Sequence, residues 1–161
     1  MMTLNISRLN VHAPYTVWKD GTDLLFKTRH NIIYAVVFDP EESTRNAYWF
    51  NLYNRSDKNS PNDKKLRDTV ISIIIEFFRA NPGILLYMCD TADNRQAMRA
   101  RLFLRWFNSS NLHNLFVIRV AKVMDENVAN YLAMIVQRSN PDLEVILQSF
   151  DAEIEMFKAG K

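Results

Sequence analysis

The first third of the chain arranges its apolar residues in short runs of strand length, a pattern typical of β-strands. Four runs rich in β-branched and aromatic residues predict strands at 15–18, 24–28, 32–38 and 47–53. Asp20-Gly21, a strong hairpin-turn dipeptide, separates the first two runs. We therefore predict an antiparallel meander of four strands.

The polar segment after the fourth strand leads into a helix with one apolar face. Ser60 is the expected N-cap, Pro61 the first helical residue, and Asp63 a capping carboxylate. The helix is predicted to run to about Ala80, where a Pro-Gly stop follows. Its apolar residues recur at helical spacing and predict a buried stripe made of Leu66, Val70, Ile73, Ile74 and Phe77.

The second half of the chain mixes strands and helices. Residues 84–89 and 116–123 predict strands, 94–107 a helix, and Leu143 begins a last amphipathic helix. Residues 129–138 fit a strand or a helix, and a strand is preferred because the polar stop after them is followed at once by a better helix. The order ββββ-α-β-α-ββ-α predicts an α+β fold with a largely antiparallel sheet and helices packed mainly on one face.

Both faces of the third predicted strand are apolar. One face carries Ile32, Tyr34, Val36 and Phe38, and the other carries Ile33, Ala35 and Val37. A strand in a one-sided sheet alternates with polar residues. One face is therefore expected to pack on helices, and the other to be covered by more of this chain or by a partner subunit. The second option favours a homodimer.

Composition fits one globular domain and disfavours several kinds of site. The 161 residues are 48% hydrophobic and 24% charged, and we predict a single domain over 1–161 in which 1–14 form a loose lead-in. Gly21, Gly83 and Gly160 are the only glycines, too few for a P-loop or a dinucleotide fingerprint. The three histidines are isolated, so we predict no metal site and no cofactor.

Cysteine usage and hydropathy bear on the compartment. The single Cys89 permits no intramolecular disulfide, which fits a reducing cytoplasm. The N-terminus lacks a charged region followed by an apolar run, so no signal peptide is expected. The longest apolar run, 32–38, is far shorter than a membrane span of about 20 residues. We therefore predict a cytoplasmic protein with no membrane partner.

The segment 89–107 concentrates unusual charges. Asp90 and Asp93 follow the end of a predicted strand, where ligands tend to bind in α/β units. Four arginines follow on the predicted helix, at Arg95, Arg99, Arg101 and Arg105. A cation near a helix N-terminus opposes the helix dipole, so it needs a carboxylate or a bound anion to offset that cost.

Three interpretations of this Asp/Arg cluster stay open. In the first, the aspartates cap the helix and pair with Arg95 and Arg99 as structural salt bridges. In the second, Arg95 and Arg99 grip a phosphate or carboxylate in bidentate fashion. In the third, Asp90 or Asp93 is a catalytic base or metal ligand, although two acids without a third or fourth oxygen ligand are a weak motif for metal-dependent phosphoryl chemistry.

Charge is also segregated along the chain. Residues 95–122 contain six basic residues and no acidic residue, whereas the last helix is acidic. These two surfaces are expected to face each other or water. The alternative is a basic patch for nucleic acid with Trp49, Tyr53 or Trp106 as stacking partners. A net charge of +2 and sparse Lys and Arg disfavour that alternative.

Residues 84–107 resemble a known family. Leu-Tyr-Met-Cys-Asp-x-x-Asp, then Arg-x-x-x-Arg-x-x-x-Phe-x-x-Trp-Phe after one residue, resembles uncharacterised bacterial proteins, mostly from Bacteroidota, known only as a domain of unknown function. The resemblance implies a bacterial, single-domain, cytoplasmic protein and supplies no activity. The matching positions are Cys89, Asp90, Asp93, Arg95, Arg99, Phe103, Trp106 and Phe107.

The favoured hypothesis from the sequence is a non-enzymatic binding or regulatory module, because no strong catalytic motif is present. Its site is the Asp/Arg cluster, its ligand a small anion, and its partner a second copy of the chain. Two alternatives remain. One is a metal-dependent enzyme acting on a phosphorylated or nucleotide-like substrate, and the other is a nucleic-acid-binding protein that uses the Arg-rich helix.

Overall fold

The computed structural model describes residues 3–56, 58, 61–89, 105–108, 112–125 and 127–159. By its internal contacts the chain divides into two units, Met1–Pro82 and Gly83–Lys161. Each unit combines helices with antiparallel strands, so the predicted α+β class is confirmed. Within these residue ranges, no helix is both long enough and apolar enough to cross a membrane.

The first unit is a four-stranded meander with two helices. In chain order its elements are α1 (Ile6–His12), β1 (Val17–Asp20), β2 (Asp23–Lys27), β3 (Ile33–Pro40), β4 (Ala47–Asn54) and α2 (Lys64–Ala80). Each strand pairs antiparallel with the next one, which confirms the predicted meander. Gly21 takes the left-handed conformation, with φ of 63°, at the hairpin turn between β1 and β2.

Helix α2 packs on one face of this meander. Phe77 is fully buried, and its ring stacks on Phe38 with the centroids 4.7 Å apart and meets Tyr48 edge-on at 5.4 Å. All five residues of the predicted stripe are buried: Leu66, Val70, Ile73, Ile74 and Phe77. The burial of this stripe stabilises the packing of α2 on the meander.

The start of α2 differs from the prediction. Asp63, rather than Ser60, is the N-cap, because its Oδ1 accepts the backbone N–H groups of Lys65 at 2.9 Å and Leu66 at 3.4 Å. Pro61 precedes the helix instead of opening it, and Ser60 lies outside the described residues. The helix ends at Ala80 as predicted.

Residues 1–14, predicted to be a loose lead-in, contain helix α1 instead. A helix of seven residues is too short to be stable by itself. The burial of Leu9 holds it against the rest of the unit, and locally the side chain of Asn5 caps the helix by accepting the N–H of Arg8 at 3.0 Å. Two turns are also too few to show a clear helical period in the sequence.

The second unit contains three strands and a C-terminal helix. Its elements are β5 (Ile84–Cys89), a 3₁₀ turn (Leu112–Asn114), β6 (Phe116–Asp125), β7 (Val128–Gln137) and α3 (Leu143–Ala159). Strand β7 lies between β5 and β6 and is antiparallel to both. The segment that fitted either a strand or a helix is therefore a strand, as preferred from the sequence.

One ion pair joins the basic and acidic segments of the second unit. Arg119 on β6 donates from Nη1 to Asp151 Oδ2 on α3 at 2.6 Å. This pair brings one basic residue of the segment 95–122 against the acidic helix, whereas the expectation from the sequence was that the two surfaces face each other or water. Both side chains are more than two-fifths exposed, so the pair contributes little to stability.

Candidate functional site

The predicted Asp/Arg cluster lies almost wholly outside the described residues. Asp90, Asp93, Arg95, Arg99 and Arg101 are not described, so their roles stay predictions. Arg105 is described, and it is exposed within a helical stretch at 105–108. In the described part of the chain, no group of three or more His, Cys, Asp and Glu side chains is placed to hold a metal ion.

A different candidate site lies in the first unit, where two asparagine amides anchor the segment that contains α1. Asn81, the C-cap of α2, accepts the N–H of Thr3 at 3.0 Å and donates to the carbonyl of Thr3 at 2.5 Å. Asn10 pairs in the same two-way manner with the backbone of Val17, at 2.9 Å each way. These four hydrogen bonds fix both ends of the segment against α2 and β1.

A groove of about 560 Å³ lies beside the anchored segment. It is lined by residues 3–8, by Lys19 of β1, and by Glu76 and Ala80 of α2. Lys19 lies on the same face of the meander as Val17, because side chains two residues apart on a strand share a face. Strand alternation therefore places a lysine in a groove that is otherwise formed by residues 3–8 and by α2.

Glu76 is the buried acid of this groove, with a side chain only 4% exposed. Its Oε2 forms an ion pair with Nε of Arg79, one turn further along α2, at 3.2 Å. Its Oε1 faces Nη1 of Arg8 at 3.9 Å, which is close enough for attraction and too long for a hydrogen bond. Oε1 is buried and has no hydrogen-bond partner among the described residues.

The charges around the groove are unbalanced in favour of positive ones. Arg8 and Lys19 line it, whereas Glu76 is the only acid among its described lining residues and is already paired with Arg79. Lys19 forms no ion pair within the residues described here. The groove therefore offers two cations and one carboxylate oxygen that has no hydrogen-bond donor among the described residues to anything that enters it.

Comparison with known proteins places the chain in a family. Residues 62–152, more than half of the sequence, match DUF6169, a family of unknown function. The chain belongs to the DUF6169 family. This membership confirms the predicted kinship with a domain of unknown function. No curated protein and no solved structure matched the DUF6169 chain.

The family match divides the groove of this DUF6169 protein. Glu76, Arg79 and Ala80 lie within the matched residues, whereas Lys19 and the α1 segment precede them. The buried carboxylate and its paired arginine are thus carried by the family region of the chain. The cations that line the groove come from the part before it.

The position of Glu76 has a sequence signal that the predicted stripe of α2 leaves out. Glu76 interrupts the apolar run 73–78, and it follows buried Thr69 by seven residues and buried Ile73 by three. This spacing places it on the buried side of the helix. An acidic residue there must be paired or functional, because burying an unpaired charge is costly.

A second polar cluster in the DUF6169 protein lies at the start of α2, where it has a structural role. The hydroxyl of Tyr15 donates to Asp63 Oδ2 at 2.7 Å. Burial alone would raise the pKa of Asp63, but the hydrogen bonds from Tyr15, Leu66 and Lys65 and the charge of Arg29 outweigh it and lower the pKa. Burial and the hydrogen bond to Asp63 raise the pKa of Tyr15. The cluster ties the meander to the helix cap.

Proposed function

We propose that this DUF6169 protein is a non-enzymatic binding module whose ligand is a small anion held in the groove beside α1. The observation that carries the proposal is that two cations, Arg8 and Lys19, line the groove beside a single acid, Glu76, which already pairs with Arg79. An anion that enters the groove gains two cationic partners. Lys19 gives up no ion pair within the described part of the chain to bind it.

The proposal keeps the ligand class expected from the sequence and moves the site. The sequence placed a small anion at Asp90, Asp93, Arg95 and Arg99, which lie outside the described residues. The groove has the same combination of acidic and basic side chains in a described part of the fold. Arginine and lysine are the residues that proteins use to bind carboxylates and phosphates.

An amide-resolved NMR titration with inorganic phosphate tests the proposal. We expect phosphate to shift the backbone amides of residues 3–8 and Lys19, and Lys19→Gln to weaken binding by about threefold, the effect of one partly exposed charge. Lys27→Gln is the matched control, because Lys27 is also an exposed strand lysine and does not line the groove. No shift at the groove, or equal binding by wild type and Lys19→Gln, would overturn the proposal.

We further propose a cytoplasmic homodimer. The single Cys89 supports the location, because extracellular proteins commonly use paired cysteines. The second apolar face of β3, where Ile33 and Val37 are partly exposed, supports the homodimer. Light scattering behind size-exclusion chromatography at increasing concentration tests this: a mass that stays at 18.9 kDa would contradict the dimer.

A further inference from the structure

Oε1 of Glu76, which has no hydrogen-bond donor among the described residues, is a second feature of the groove. The binding of a plain anion does not explain it. Oε1 is buried and has no hydrogen-bond partner among the residues that the structure describes. A buried carboxylate oxygen without a donor is costly, since it loses its hydrogen bonds to water and the attraction of Arg8 Nη1 at 3.9 Å replaces them only in part. The hydroxyls of Thr3 and Ser7 line the same groove, and neither donates to Oε1.

The two kinds of partner in the groove select for a ligand that carries two kinds of group. A plain anion meets Arg8 and Lys19 and leaves Oε1 unsatisfied beside a new negative charge. A plain cation satisfies Oε1 and meets two like charges. Only a ligand with an anionic group and a hydrogen-bond donor satisfies all three side chains.

The distance between Arg8 and Glu76 limits how far apart those two ligand groups can lie. Arg8 Nη1 and Glu76 Oε1 are 3.9 Å apart. One ligand atom must accept from the first and another must donate to the second, so the two ligand groups must lie close together, as they do on neighbouring carbon atoms. The Arg8 side chain is 51% exposed, which leaves its guanidinium free to turn towards a carboxylate.

We propose that the groove binds an α-substituted carboxylate, namely a small α-hydroxy acid or α-amino acid. The ligand carboxylate lies against Arg8 and Lys19, and its hydroxyl or ammonium group donates to Glu76 Oε1. This inference rests on the proposed function, because it names the chemical class of the anion. It adds Glu76 as the residue that distinguishes this class from other small anions.

Three ligands with the same heavy-atom skeleton test the inference on the wild-type protein. Lactate carries a hydroxyl, free alanine an ammonium and isobutyrate a methyl group at the same position. In NMR titrations followed at the amides of residues 3–8, we expect lactate or alanine to bind about tenfold more tightly than isobutyrate, the usual effect of satisfying a buried charged acceptor. Which of the two binds more tightly separates hydroxy acids from amino acids.

Glu76→Gln provides the matching variant. It keeps the shape of the side chain, removes the charge and is expected to reduce the tenfold preference to about twofold or less. Glu144→Gln is the control, because Glu144 is an exposed acid on α3, and it should keep the wild-type preference. The comparison of the three ligands on the wild type needs no variant and stands if Glu76→Gln fails to fold.

The outcomes separate the inference from the proposed function. Equal binding of all three ligands at the groove would overturn the α-substituted class and leave anion binding intact. If folded Glu76→Gln keeps the wild-type preference for lactate or alanine over isobutyrate, Glu76 is not the source of that preference. This result would also overturn the inference. Groove amides that respond to none of the three carboxylates and not to phosphate would overturn both proposals.

Discussion

Arg55 reaches across strand β3 to Asp23, with Nη2 donating to Oδ2 at 2.6 Å. Arg55 follows β4 and Asp23 opens β2, so β3 lies between the two residues. Asp23 shares a face with Leu25, which pairs with the fully buried Ala35 of β3. The contact therefore crosses the second apolar face of β3. The sequence predicted that this face is covered by another part of the chain or by a partner subunit, and this ion pair supplies part of that cover from the chain itself.

The Arg55–Asp23 pair should stabilise the first unit modestly. In a double-mutant cycle with Arg55→Gln and Asp23→Asn, we expect a coupling energy of about 0.5–1 kcal/mol in urea unfolding, because both groups remain partly exposed. The coupling should fall in 1 M salt. The same cycle on Lys158 and Glu155, which are 4.0 Å apart and largely exposed, should give a value near zero. Equal coupling in the two pairs would contradict this ranking.

Asp63 should stabilise α2 mainly as its N-cap. Asp63→Ala removes the acceptor for two backbone N–H groups and for the Tyr15 hydroxyl, and we expect a loss of about 1–2 kcal/mol in the free energy of unfolding. Asp63→Asn keeps a capping oxygen and should lose less. Thermal and urea unfolding measure both losses. If Asn proves as damaging as Ala, the cap hydrogen bonds are not what makes Asp63 stabilising.

The same cluster predicts a pH dependence at both ends of the scale. Since the pKa of Asp63 is lower in the folded protein than its ordinary value, its contribution is complete above about pH 4 and is lost as the pH falls through the lowered pKa. The advantage of wild type over Asp63→Asn should therefore shrink below about pH 4. The pKa of Tyr15 is raised, so the advantage over Tyr15→Phe should shrink as the pH rises above about 10.

Unfolding curves of the three proteins between acid and alkaline pH measure these differences. A difference between wild type and Asp63→Asn that grows on acidification would reverse the sign argued for Asp63. If the difference in unfolding free energy between wild type and Tyr15→Phe does not change through the alkaline range, the predicted contribution of Tyr15 to the cluster is wrong.

Phe77 should be a major packing residue of the first unit. It is fully buried and contacts Phe38, Tyr48 and Phe78 through its ring. Phe77→Ala removes these contacts and leaves a cavity, so we expect a loss of about 3–5 kcal/mol in urea unfolding. Val145→Ala, at a position 64% exposed, should change stability by less than about 0.5 kcal/mol. A similar effect of the two substitutions would contradict the placement of the core.

Asn127 should tolerate glycine and resist β-branched residues. It has a φ of 68° at the turn between β6 and β7, a conformation that Asn and Gly adopt readily. Asn127→Gly should be close to neutral, whereas Asn127→Val should cost about 1 kcal/mol or more in the free energy of unfolding. Thermal unfolding checks the prediction: Asn127→Gly should have a higher unfolding temperature than Asn127→Val. The reverse order would mean that the turn takes another conformation.

The sequence by itself determined the parts of this protein that follow from local periodicity. The β-branched runs predicted β1 to β4, the five-residue stripe predicted α2, and the polar stop before α3 favoured β7 as a strand. Such patterns suffice because a buried face must repeat with the period of the element that carries it. The resemblance to a domain of unknown function was likewise visible in a local motif, within residues 84–107.

The tertiary structure alone decided the candidate site. The α1 segment is held in place by Asn81, which bonds Thr3 from 78 positions away in the sequence, and by Asn10, which bonds Val17. Asp63 caps α2 with the help of Tyr15, which comes from 48 residues earlier. The groove joins Arg8, Lys19 and Glu76, three residues that no common period relates. Their proximity depends on long-range hydrogen bonds and packing, and a local pattern in the sequence carries no information about either.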